Sequence, residues 1–201
     1  GGRNAFDINT GWMKLGASLA RGQSFEFNYT RQQGGLTLYP YLLMDAPYDN
    51  ADRASANWNV RELTGLVRQI SVQAYFSQVD HWMTDELRAS STGLARPYSM
   101  ATFAGTRVLG GRVEIELPGT LAGFEGYRRN WTAVNSMRMA TMSGMMPMYT
   151  DQAAMPGVRM EVGGLYVQHH RAFGRLQVTG GARLDAAASN AFSRSINTDL
   201  Y

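Results

Sequence analysis

Apolar and polar residues alternate strictly where Ile70, Val72, Ala74 and Phe76 interleave with Gln69, Ser71 and Gln73. A period of two puts one set on each face of a strand, so this segment predicts a half-buried β-strand. Continued without a bulge, the same parity carries Ser77, Val79, His81 and Met83 on the polar side and Trp82 on the side of Ile70 and Phe76.

The pattern recurs along the chain. Met13, Leu15, Ala17 and Leu19 alternate with Trp12, Lys14, Gly16 and Ser18; after a tight turn at Arg21 to Ser24, Phe25, Phe27 and Tyr29 oppose Glu26, Asn28 and Thr30. These two strands form a hairpin. A long connection, LTLYPYLLMDAPYDN, leads to a third strand in which Ala54, Ala56, Trp58 and Val60 alternate with Ser55, Asn57 and Asn59. Glu62 to Leu66 turns the chain into the strand ending at Met83, and TDELRASSTGLARPYS predicts a second long loop. Val113, Ile115 and Leu117 oppose Arg112, Glu114 and Glu116, Pro118 to Leu121 turns, and Phe124 to Trp131 returns, with Arg128 on the apolar parity. Asn135 to Met160 predicts the longest irregular stretch, holding 8 of the 12 methionines. Gly163 to His170 and Leu176 to Asp185 make a last hairpin around Ala172 to Arg175.

The sum is about eight antiparallel strands, with short turns at one end and long loops at the other. A soluble sandwich favours short strands and short connections throughout. Alternating segments of about 10 residues with unequal ends, and Trp58, Trp82 and Trp131 near strand ends as aromatic girdles, fit a transmembrane β-barrel, because lipid cannot satisfy an open backbone. The predicted class is therefore all-β, a segment of an antiparallel transmembrane barrel.

Composition agrees. There are 22 glycines, 6 prolines, 11% aromatic and 17% charged residues, and no apolar run reaches the roughly 18 residues of a membrane helix. The net charge of +3 comes from scattered residues rather than a basic cluster, which argues against a nucleic-acid partner. The absence of cysteine leaves no disulfide and no thiolate ligand here. No leader segment opens the chain and it stops abruptly at Tyr201, so a fragment of a longer protein is expected. Cut from a larger barrel, it is expected not to fold alone, because two strand edges and an apolar face would lack partners.

Four segments, LYPYLLMDAPYDNAD, VDHWMTDELR, GYRRNW and GGARLD, in this order from Leu38 to Asp185, resemble the barrel domain of TonB-dependent outer-membrane receptors, and HWM is most similar to their copper receptors. The resemblance implies that residues 1–201 are part of a 22-stranded barrel. It also implies that the plug and the remaining strands lie outside this chain. It further implies a bacterial outer-membrane location, outer-membrane lipid around the barrel, and the TonB energy-transducing complex acting through the plug. In the copper receptors a His-x-Met pair on the barrel is completed by plug ligands, and His81 and Met83 match the barrel half.

The residues themselves leave two readings of this pair. Imidazole and thioether suit copper, Cu(I) above all, and residues i and i+2 lie roughly 7 Å apart on one face of a strand. The alternative is an interfacial histidine and a loop methionine. Likewise Met137, Met139, Met142, Met145, Met146 and Met148 form either a relay of weak thioether sites or flexible filling for the barrel mouth. His169 and His170 are adjacent, so on a strand they face opposite sides and read as structural. Arg112, Glu114, Glu116, Arg183 and Asp185 fall on the lumenal parity and predict ion pairs. Asp80 and Asp85 flank the HWM segment, yet no nucleophile with an orienting base, phosphate-cradling loop or HExxH spacing accompanies them, so no enzyme is expected. The alternatives to copper uptake are a siderophore or other metal-chelate receptor, with Tyr39, Tyr41 and Trp131 touching the ligand, and a passive porin or structural barrel.

Overall fold

The computed structural model describes residues 6–39, 41–61, 63, 65–88, 98–141 and 144–191, the side chains at 140, 141, 145 and 147–151 excepted. Eight strands, β1 (Ile8–Ala20), β2 (Gln23–Gly34), β3 (Asp45–Arg61), β4 (Gln69–Thr84), β5 (Tyr98–Leu117), β6 (Thr120–Thr141), β7 (Gly144–Phe173) and β8 (Leu176–Ala191), make one sheet. Their spatial order is the chain order, every neighbouring pair is antiparallel, and β1 and β8 form the open edges.

A single sheet separates the two architectures. A sandwich would cover the apolar face with a second layer, whereas here the buried hydrophobic residues among those described are only Ala46, Ala51 and Val60. The rest of the oily side chains lie open. Cross-strand partners share a face, so the row Ala17–Phe25–Trp58–Val72–Val113–Phe124–Leu165–Leu184 crosses all eight strands on one side. Leu184 is 73% exposed and Leu109, on the same face, 61%. The adjacent row, Ser18–Ser24–Asn59–Ser71–Glu114–Gly123–Tyr166–Arg183, is polar and faces the other way. This is the two-sided wall of a transmembrane barrel, apolar outside and polar inside.

Ion pairs and hydrogen bonds tie the polar face together both along and across strands. Arg183 binds Glu125 at 2.5 Å and Asp185 at 2.7 Å, Lys14 binds Glu26 at 2.7 Å, and Arg112 lies 3.6 Å from Glu114. The Tyr166 hydroxyl donates to Glu114 at 2.7 Å. Tyr75 and Tyr127 flank Gly110 on neighbouring strands, and a Cβ at Gly110 would stand 2.5 Å from the Tyr75 ring. Glycine is there because an aromatic ring lies flat over its backbone.

Short turns join β1 to β2, β5 to β6 and β7 to β8, with Gly22, Gly119 and Gly174 at positive φ. The opposite end carries the connections 35–44 and 85–97. The third connection at that end corrects the expected irregular stretch from Asn135 to Met160. It is a strand hairpin instead, with Thr141 opposite Gly144 and Met139 opposite Met146. Its ladder breaks register between Trp131 and Ala133, again at Val134, and twice more between Asn135 and Arg138. Ala133 pairs with Met155 and Trp131 with Val158, so Pro156 and Gly157, the latter at φ 36, bulge out of β7. Each bulge resets the parity, which is why period-two reading fails there. The first long loop is also shorter than expected, since Asp45 already begins β3.

Arg128, out of place by parity, does lie on the apolar face, where its guanidinium meets Glu161 across the ladder at 2.7 Å. Of the three tryptophans expected as girdles, Trp58 and Trp82 lie on the apolar face toward opposite strand ends and Trp131 does not. Trp58 sits within the apolar rows, Trp82 lies on the same face nearer the loops, and Trp131 is on the polar face under the Arg129 guanidinium at 3.8 Å.

Gly110→Ala in the full-length protein should lower barrel stability by about 1–3 kcal/mol through overpacking against Tyr75 and Tyr127. Gly180→Ala, with open space around it, should be neutral. Urea-dependent loss of the heat-resistant folded band on gels checks both, and equal midpoints for the two variants would refute the packing account.

Candidate metal-binding site

β4 runs unbroken from Gln69 to Thr84 and pairs continuously with β5, so the parity set by Ile70 and Phe76 holds to its end. His81 and Met83 therefore both lie on the polar face, at its loop end, and Trp82 faces the other way. Asp49 is the cross-strand partner of His81, and its carboxylate lies 3.5 Å from His81 Nδ1. A carboxylate beside Nδ1 orients the ring and leaves Nε2 as the nitrogen available to a ligand. The imidazole is part-exposed, at 28% of its side-chain surface.

The register adds thioethers that strand parity alone did not bring together. Met83 faces Thr102 on β5, and Met100, two residues along on the same face, faces Met137 on β6. Diagonal neighbours of this kind lie roughly 7–8 Å apart at the backbone, within reach of long side chains. Met83, Met100 and Met137 thus stand on three successive strands of one face, each part-buried. Nothing near Met100 in the sequence marks it. Its position follows only from the pairing of β5 with both neighbours.

Of the other relay candidates, Met139 and Met146 are cross-strand partners at the tip of the bulged hairpin, 40% and 56% exposed. Met145 lies opposite Ala140 and Met148 within β7; their side chains, and Met142 altogether, fall outside the described residues. Among the described residues no three of His, Cys, Asp and Glu converge on one point. The donor set here is one imidazole and several thioethers, a soft set that disfavours hard cations.

Two buried acids hold the platform beneath the loops. Asp45, 1% exposed, accepts the Tyr39 N–H at 2.8 Å and pairs with Arg88, whose guanidinium also donates to the Tyr39 carbonyl at 2.6 Å. Asp85, also 1% exposed, accepts from the Ser99 hydroxyl at 2.7 Å and the Met100 N–H at 2.9 Å. Connection 35–44 and the end of β4 are thereby fastened to each other and to β5 beside Met100. Asp85 is structural. Asp80 is on the opposite face from His81 and accepts from Gln78 at 2.7 Å. His169 and His170 face opposite sides near the short-turn end, bonded to Thr120 at 2.8 Å and Thr179 at 3.1 Å. Tyr41, in connection 35–44, is 98% exposed.

No family model matches the sequence, and neither does any curated protein. Among solved structures, the copper transporter OprC matches with a TM-score of 0.74 over 94% of this chain at 17% identity. The chain spans 29% of that protein's length. At that identity the likeness establishes the fold, a barrel-wall segment.

Arg88→Ala would strand the Asp45 carboxylate in the interior, a change worth about 3–5 kcal/mol when a buried pair loses one partner. The loss should be local. Hydrogen exchange in the full-length protein should quicken at the Thr37, Ala46 and Asp85 amides and stay unchanged in the centre of β4 and β5; unaltered protection at Thr37 and Ala46 would refute the anchoring role.

Proposed function

We propose that this chain is part of the barrel of a bacterial outer-membrane, TonB-dependent transporter that imports copper, with His81 and Met83 as the barrel-side ligands. The observation that carries the reading is the grouping of His81, Met83, Met100 and Met137 on the polar face at the loop end. Thioethers bind soft Cu(I) and bind hard cations poorly. They add no charge that must be desolvated. The likeness in fold to a copper transporter supports the same reading.

In this account residues 1–201 are one part of the barrel domain. Exposed Met139 and Met146 offer weak outer sites, Met137 and Met100 continue the line along the wall, and His81 with Met83 makes the tighter stop, completed by ligands from the plug. Asp49 is a positioning residue that holds the imidazole through Nδ1. Release follows when the TonB complex acts on the plug and withdraws its share of the ligands. Transport rather than catalysis fits a polar wall whose acids are engaged by arginines, as at Glu125, Asp185 and Glu114. A metal-chelate receptor is the second reading, favoured by the Arg129–Trp131 stack on the polar face, which suits an anionic aromatic chelate.

Copper bound per full-length receptor, measured by mass spectrometry of the metal after dialysis, should fall to background in His81→Ala/Met83→Ala. Asp49→Asn should keep the stoichiometry but weaken affinity roughly tenfold or more. A peptide spanning residues 135–160 should bind Cu(I) or Ag(I) weakly. Unchanged copper content and affinity in the double variant would overturn the assignment, and no binding by the peptide would leave its methionines as packing.

A further inference from the structure

The apolar face is not apolar to its end. Beyond Phe76 and Leu109 the next row on that same face reads Arg31–Asp52–Gln78–Arg107–Asn130–Arg159–Asn190, and the one after it includes Asn50, Asp80, Gly105 and Thr132. Beyond these, an aromatic group closes the band. The Tyr48 ring lies 5.8 Å from Trp82 and 5.9 Å from Phe103, centroid to centroid. Rows are about 7 Å apart along a strand, so the polar band is the height of a lipid headgroup rather than of a chance substitution.

Within the band is a depression of about 250 Å³ lined by Gln78, Asp80, Gly105, Arg107, Asn130 and Thr132. Gly105 opens it: a Cβ at that position would come within 3.2 Å of the Thr132 hydroxyl and 3.4 Å of the Asp80 carboxylate. Arg107 donates through Nε and Nη2 to the Gln78 amide oxygen, at 3.2 and 3.0 Å, and has no carboxylate within ion-pair distance among the described residues. Asn130 Oδ1 is buried with no hydrogen-bond donor among them. A cation held by a neutral amide, beside a carboxylate, an amide and a hydroxyl, with aromatic rings one row away, is the donor and acceptor mix that a phosphorylated sugar requires.

We propose that this depression is a subsite for the phosphorylated sugar headgroup of an outer-leaflet lipid. Arg107 takes the phosphate, Asp80 and the Asn130 Oδ1 take ring hydroxyl or amine donors, and the acyl chains run down over Leu109 and Phe76. The proposal rests on the reading of the apolar rows as membrane-facing and deepens it, since it fixes which edge of the belt meets the outer leaflet.

Full-length protein in phosphatidylethanolamine nanodiscs, with and without added lipooligosaccharide, tests it by native mass spectrometry of the lipid retained after extraction. Wild type should retain lipooligosaccharide. Arg107→Glu, which reverses the charge, and Gly105→Leu, which fills the depression, should each retain roughly tenfold less, while Arg112→Glu on the polar face should match wild type. Equal retention by wild type, Arg107→Glu and Gly105→Leu, all inserted and folded, would overturn the subsite and leave the barrel standing. Equal competition by sugar-free phosphatidylglycerol would overturn the sugar assignment. Wild-type protein that does not enter the nanodisc would overturn the membrane reading, and the subsite with it.

Discussion

Backbone hydrogen bonding across one unbroken meander is the constraint from which the rest of this structure follows. Each inner strand spends its N–H and C=O groups on its two chain neighbours, so no helix or second sheet is needed to satisfy the backbone. A layer satisfied this way can stand in hydrocarbon, where an unpaired peptide group is costly. The side chains are then free to divide by parity alone. Open leucines, valines and phenylalanines on one face, a fault in a water-soluble domain, become the surface that holds the wall in place.

The opposite face has the reverse problem, since polar groups on it need partners. Arg183 reaches past β7 to Glu125, and tyrosines lie across glycines, as Tyr75 does at Gly110 and Tyr166 at Gly123. These contacts stiffen a wall that has no core beneath it. At the loop end the same role passes to the buried Asp45 and Asp85, which fasten connection 35–44 and the turn after β4 onto β5. The backbone carrying Met83 and Met100 is therefore fixed on both sides, and the two thioether side chains keep their spacing.

Local alternation made much of this legible. The eight strands, their order, the short-turn end and the side on which His81 and Met83 lie all follow from period two, because β4 contains no bulge between Ile70 and Met83. Where bulges occur, the same rule misleads. Asn135 to Met160 reads as irregular although it is strand, since Pro147, Pro156 and Gly157 look like loop punctuation and the parity is reset repeatedly. Nearness to a strand end suggests a girdle position for Trp131, whereas parity counted from Phe124 turns it inward. The Arg88–Asp45 pair and the place of Met100 depend on contacts distant in the chain, and no local spacing encodes them.

The bulged hairpin and the metal-binding proposal are linked by one physical feature. A regular hairpin would keep every second residue of β7 on the polar face, and its methionines would point alternately in and out over its whole length. Extra residues in β7 break that rule. Met137 keeps its place opposite Met100, while Met139 and Met146 meet at the tip. On the copper reading, it is the shift-free register of β6 on β5 that lets this exposed hairpin begin with thioethers in solvent at Met139 and Met146 and end with Met137 opposite Met100 on the wall. A charged relay would need counter-ions at each step, whereas a flexible, uncharged donor packs against the wall when empty and turns to the ion when one passes.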